Sequence, residues 1–118
     1  MEVGGFLSKI KIKVQIKNST TNNKYEVDAI LQDEIVKYKE EDNTKVIFNY
    51  KENKLIRENS ELKMIYDFNN NTGVITVKEL ERDLKVDINT KKIKKKENDI
   101  EIVFEIEEEF KYRIEEIK

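Results

Sequence analysis

A chain of 118 residues, 37% hydrophobic and 41% charged, has the length of one domain and the apolar content for one modest core. Its 23 basic and 25 acidic side chains leave a formal net charge of −2, so no overall field recommends a nucleic acid or an anionic membrane as partner. The absence of Cys and His removes disulfides, thiolate chemistry, zinc–thiolate sites and the usual nucleophile–base pairs, and no apolar run reaches the length of a signal-peptide core or membrane span. A cytoplasmic protein is the expectation.

In chain order, Met1 to Phe6 holds two of the three glycines and is predicted to be a loose leader to a single domain spanning 1–118. Ile10, Ile12, Val14 and Ile16 then alternate with Lys9, Lys11, Lys13, Gln15 and Lys17, a strand with a basic outer face. Asn18 to Asn23 reads as a turn, and Tyr25, Val27, Ala29 and Leu31 as a second strand that sets Glu26 and Asp28 opposite those lysines. Asp33 and Glu34 make a corner, followed by strands at Ile35 to Lys39 and Lys45 to Tyr50 around an acidic turn. Leu55 to Glu58 and Leu62 to Phe68 continue the pattern, and Asn69 to Gly73 are expected to supply left-handed residues for the turn into Val74 to Val77.

From Leu84 to Ile117 the period of two is clearest. Leu84, Val86 and Ile88 form one apolar row, Ile100, Ile102, Phe104 and Ile106 a second, and Phe110, Tyr112 and Ile114 a third, predicting three antiparallel neighbours in a meander. Thr90 shares the parity of Leu84 but Ile93 does not, so a bulge is expected at Lys91 and Lys92. The last hairpin is predicted to turn through Glu107, Glu108 and Glu109, pairing Ile106 with Phe110, Phe104 with Tyr112 and Ile102 with Ile114. A helix is the competing reading for Lys78 to Leu84 and for Glu105 to Ile117, where Ile106, Phe110, Ile114 and Ile117 have helical spacing. The strand reading prevails because the terminal segment also satisfies a period of two.

About eight to ten short strands with turns every eight to twelve residues predict an all-β fold, a single antiparallel meander closed as a barrel. The succession Lys54-Leu55-Ile56-Arg57, Leu62-Lys63-Met64, then Leu84, Val86, Ile88, Thr90 and Ile93, then the strand from Ile100 to Ile106 and a closing Tyr112–Ile114 strand resembles the YwiB-like family of small bacterial proteins. The resemblance runs from about Val27 onward. It implies a barrel similar to the calycin fold of lipocalins and fatty-acid-binding proteins, and no activity. Where that family favours glycine, this chain has Asn59 and Asp83.

No constellation of catalytic residues emerges, no cofactor is called for, and neither a P-loop nor a dinucleotide fingerprint exists. Glu107 to Glu109 and Glu40 to Asp42 lack the spaced ligands and glycine of a calcium loop and read as solvated hairpin tips rather than metal sites. Lys91, Lys92, Lys94, Lys95 and Lys96 form the one basic cluster. Without interleaved aromatics for base stacking, it reads as a protected edge strand paired with glutamates. Phe48, Tyr50, Tyr66, Phe68, Phe104 and Tyr112 are the candidate lining of an interior ligand site, with core filling as their plainer role. The expectation is a non-enzymatic binding module for a small apolar or amphipathic ligand. The alternative is a solidly packed scaffold that binds a protein partner. Either would be a monomer or homodimer with no membrane partner.

Overall fold

A computed structural model describes residues 7–118, so the leader expected at Met1 to Phe6 lies outside the described residues. The described chain is all strand and turn, as the alternation requires: β1 (Ser8–Lys17), β2 (Asn22–Gln32), β3 (Ile35–Lys39), β4 (Lys45–Asn49), β5 (Lys54–Glu58), β6 (Leu62–Asp67), β7 (Thr72–Val77), β8 (Arg82–Asp87), β9 (Asn89–Lys96), β10 (Asp99–Ile106) and β11 (Glu108–Ile117). The strands number eleven rather than eight to ten. They form one antiparallel sheet in the order β8-β7-β6-β5-β4-β3-β2-β1-β11-β10-β9, nearly closed as a barrel. Both helical alternatives are excluded: Lys78 to Glu81 form the turn between β7 and β8, and Glu108–Ile117 is strand.

One hydrophobic core runs through the interior, with Ile12, Val14, Val36, Phe48, Ile102 and Ile114 fully buried. On the outer side of the first hairpin, Lys13 lies opposite Glu26 and Lys11 opposite Asp28, the cross-strand pairing expected from their parity.

The extra strand arises because the row from Leu84 to Ile93 is not one strand. It breaks at Ile88, and its halves join opposite ends of the sheet: β8 pairs with β7, and β9 with β10. The predicted three-strand meander is corrected accordingly, since β8 is no neighbour of β10. A long edge would otherwise be left open on each side. Bending the chain once at a buried residue brings the two edges round to one seam. Hydrogen bonds tie β9 and its approach to the turns after β4 and β6 rather than to β8: Ile88 N to Asn71 O at 3.0 Å, Thr90 Oγ1 to Phe68 O at 2.9 Å and Lys95 Nζ to Tyr50 O at 2.5 Å. Leu84, expected in the core, is 51% exposed at the free edge.

The bulge is present. Val103 pairs with Lys92 and Phe104 with Thr90, leaving Lys91 as the extra residue, so Thr90 and Ile93 both keep the inward parity. The lysine cluster is indeed an edge strand facing glutamates, with Lys92 Nζ 3.8 Å from Glu101.

The closing hairpin is shifted by two residues from the predicted register: Phe104 pairs with Phe110, Ile102 with Tyr112 and Ile100 with Ile114. A shift of two keeps every inward pair apolar, so alternation cannot distinguish the two registers. The observed one stacks Phe104 on Phe110, with ring centroids 5.4 Å apart and planes 18° apart. It also sets Glu105 against Glu109, a like-charge pair that the bulged Lys91 offsets, its Nζ 3.8 Å from Glu105 and 3.6 Å from Glu109.

With few glycines, most hairpins turn on other residues held at positive φ: Asp33 and Glu34 together, then Asn43, Asn53, Asn71, Glu81, Glu97 and Glu107. In the turn after β6 the left-handed residue is Asn71 (φ 57°), not Gly73, which is a β7 residue. There a Cβ would meet Tyr66 Cδ1 at 3.2 Å and Ile88 Cδ1 at 3.3 Å. In the last hairpin Glu107 carries the strain at φ 64°. Glu107→Gly is therefore expected to raise stability by about 0.5–1 kcal/mol, read as a higher urea midpoint at unchanged slope. Glu109→Gly removes a strand side chain that holds Lys91 and should lower the midpoint. The opposite ordering of the two variants would overturn this assignment of strain.

Candidate functional site

Six aromatic positions were expected to line an interior site, and the barrel divides them. Phe48, Tyr50 and Phe68 are buried, Phe48 edge-on to Tyr50 with centroids 5.2 Å apart, and Tyr50 Oη donates to Asn98 O at 2.8 Å. They fill the core. Tyr66, Phe104 and Tyr112 instead border an interior cavity of about 250 Å³, walled otherwise by Ile16, Leu55, Ile75, Val86, Ile106, Phe110 and Arg57. Seven strands contribute to this wall, so the cavity exists only once the sheet has curled.

Arg57 is the charged member. Val46, opposite it on β4, faces the core, and Arg57 and its further partner Met64 follow that inward row. Arg57 Nη2 donates to Glu40 Oε1 at 2.5 Å, and Tyr25 Oη donates to Glu40 Oε2 at 2.7 Å. The side chains of Arg57 and Glu40 are 27% and 14% exposed. Burial works to lower the arginine's pKa, but the hydrogen bond and charge of Glu40 outweigh it and leave it raised. The guanidinium is therefore a fixed cation. Its Nε is buried without an acceptor among the described residues, and an unmet buried donor costs about 1–3 kcal/mol. Nη1 is not among the buried atoms without a partner.

Around this pair stand tyrosines whose phenols stay protonated. Burial pushes Tyr25, Tyr38, Tyr112 and Tyr66 above their ordinary value, with neighbouring Tyr38 and Glu40 adding to the effect at Tyr25 and Tyr112 at Tyr38. Tyr38 and Tyr112 share a buried hydroxyl–hydroxyl hydrogen bond of 2.9 Å. Such phenols serve as hydrogen-bond donors. Among the described residues no group of three or more carboxylates is disposed to hold a metal ion.

Arg57 and Ile16 also line a second, outer concavity of about 870 Å³, bounded by Asn22 to Val27 and Lys39 to Asp42. The arginine thus stands between an apolar inner chamber and a polar vestibule. Lys24, Lys39 and Arg57 supply three positive charges to the vestibule, against four negative ones from Glu26, Glu40, Glu41 and Asp42.

Sequence reasoning missed Arg57, Glu40 and Tyr25. On β5, Leu55 shares a face with Arg57, but Ile56 offers an equally apolar residue on the other face, so the strand alone does not say which side is in. The usable signal was the neighbouring strand, where Val46 and Phe48 mark the inward parity.

The outer face has a feature of its own. One cross-strand row reads Ile30, Lys37, Ile47, Ile56, Ile65 and Val74. At its β2–β4 end lies a groove of about 880 Å³ whose floor includes Ile30 and Ile47, rimmed by Lys9, Lys11, Lys37, Lys39 and Lys45 with Asp28 the one acid. No family model, curated protein or solved structure matches the chain.

Proposed function

We propose that this barrel is a non-enzymatic binding module that holds a small amphipathic molecule, its apolar part in the inner chamber and its polar part at Arg57. The observation that carries this reading is an apolar cavity with one incompletely bonded cation at its mouth. A cavity of about 250 Å³ lies just below the roughly 300–1,000 Å³ of sites for drug-sized ligands. At about 30 Å³ per heavy atom, it holds some eight to nine atoms. The resemblance to the YwiB-like family and to calycin barrels is compatible with this use of the interior. Titration with 1-octanol, followed by the methyl resonances of Ile75, Val86 and Ile106, should give saturable shifts there. Val86→Trp, which fills the chamber, should abolish them. Unmoved methyls in the wild-type protein would refute the reading.

The outer groove favours a second reading, a scaffold that docks an acidic partner segment with apolar residues along one face. Its lysines have no ion pair among the described residues, so a partner's carboxylates meet unsatisfied charge beside an apolar floor. A helical peptide with leucines on one face flanked by glutamates should bind, and Lys37→Glu with Lys45→Glu should release it. No binding to the wild-type protein at low salt would overturn this reading.

A further inference from the structure

We infer that the chamber selects an uncharged ligand bearing a hydrogen-bond acceptor oxygen, a ketone, ester or alcohol of about eight carbons, over the matching carboxylate or amine; this rests on the cavity-binding reading above. Three observations combine. First, Arg57 lines both the chamber and the vestibule, and among the described residues its one hydrogen-bond partner is Glu40, through Nη2. What it lacks is an acceptor at the buried Nε, and a neutral oxygen supplies one.

Second, the charge of Arg57 is already spent. Glu40 is hydrogen-bonded to it and is itself held by Tyr25. An incoming carboxylate would be a second anion on a cation already neutralised, in a vestibule where Glu41, Asp42 and Glu26 leave negative charge in excess over Lys24 and Lys39. Glu26, Glu41 and Asp42 are exposed, so their repulsion of a further anion is greatest at low ionic strength. An amine meets a different obstacle: its charge would have to leave water beside a chamber that no carboxylate lines.

Third, the chamber walls contribute apolar surface and the hydroxyls of Tyr66 and Tyr112. The hydroxyls of Tyr38 and Tyr112 share one hydrogen bond in which either can donate, and that of Tyr66 donates to Met64 Sδ at 3.4 Å. No carboxylate lines the inner chamber to receive an ammonium group. Chain length and one oxygen are what remain to be recognised.

The test compares 2-octanone, 1-octanol, octanoate and octylammonium at pH 7 and fixed salt, by methyl shifts of Ile75, Val86 and Ile106. The ketone and alcohol should bind at least about tenfold more tightly than either ion. Glu40→Gln keeps the shape of the pair but frees the positive charge of Arg57, and should move the preference toward octanoate by about tenfold or more. Arg57→Met should weaken 2-octanone while leaving the chamber's apolar wall in place. Should Arg57→Met fail to fold, Glu40→Gln tests the same charge balance from the other partner. Octanoate or octylammonium binding as tightly as the ketone in the wild-type protein, or an unchanged preference in Glu40→Gln, would overturn the inference while leaving the cavity reading intact. Absence of saturable shifts with all four probes would remove both.

Discussion

Phe104→Ala should lower the unfolding free energy by about 3–5 kcal/mol, the range for removing a buried phenylalanine from a packed core. Phe104 is 6% exposed and is a hub of the aromatic cluster, its ring centroid 4.9 Å from Phe68, 5.4 Å from Phe110 and 6.2 Å from Tyr66. No neighbour can collapse freely into the space: Phe68 is itself buried with its carbonyl held by Thr90, and Phe110 is fixed by its place opposite Phe104 in the hairpin. The upper half of the range is therefore expected. Because the same ring borders the chamber, the variant should also accept a longer chain, with 2-decanone gaining on 2-octanone. Urea denaturation and the methyl titration measure the two effects on one sample. A loss below about 1 kcal/mol would mean the cluster repacks. Unchanged chain-length preference would mean that Phe104 does not bound the ligand.

Ile88→Ala is expected to cost about 2–5 kcal/mol, with a consequence beyond its volume. Ile88 is 4% exposed at the point where the chain leaves β8 at one end of the strand order and enters β9 at the other. Its side chain packs against Gly73, whose missing Cβ makes the room, and its N–H donates to Asn71 O. Loosening this corner should weaken the seam before the ladders. Amide exchange at Ile88 and Thr90 should therefore accelerate more than at Ile12 or Val14, which sit mid-sheet between two partners each. Uniform acceleration across all four amides would show that the barrel opens as a whole rather than at the seam.

Much of the fold was legible because a strand writes its two faces into a period of two, which survives any register. Ile35 to Lys39 emerged as β3 with both ends in place, and the bulge beside Lys91 could be read from the changed parity of Thr90 and Ile93. The shift in the closing hairpin was not legible, since moving by two residues preserves the parity of every inward pair. Only the stacking of Phe104 on Phe110 and the placement of Lys91 between two glutamates separate the registers. The division of the aromatics was equally hidden: all six are apolar residues of inward parity, and whether each meets a solid core or a chamber depends on which strands come round to face it.

The sequence by itself determined that this chain is an antiparallel all-β protein with one core, a lysine-protected edge and no cysteine or histidine chemistry, because composition and alternation are local properties. Tertiary structure decided that the edges meet at Ile88, that Arg57 points inward beside Glu40, and that Tyr66, Phe104 and Tyr112 enclose space while Phe48, Tyr50 and Phe68 do not. These are outcomes of register and curvature, which join residues far apart in the chain and which no single strand encodes.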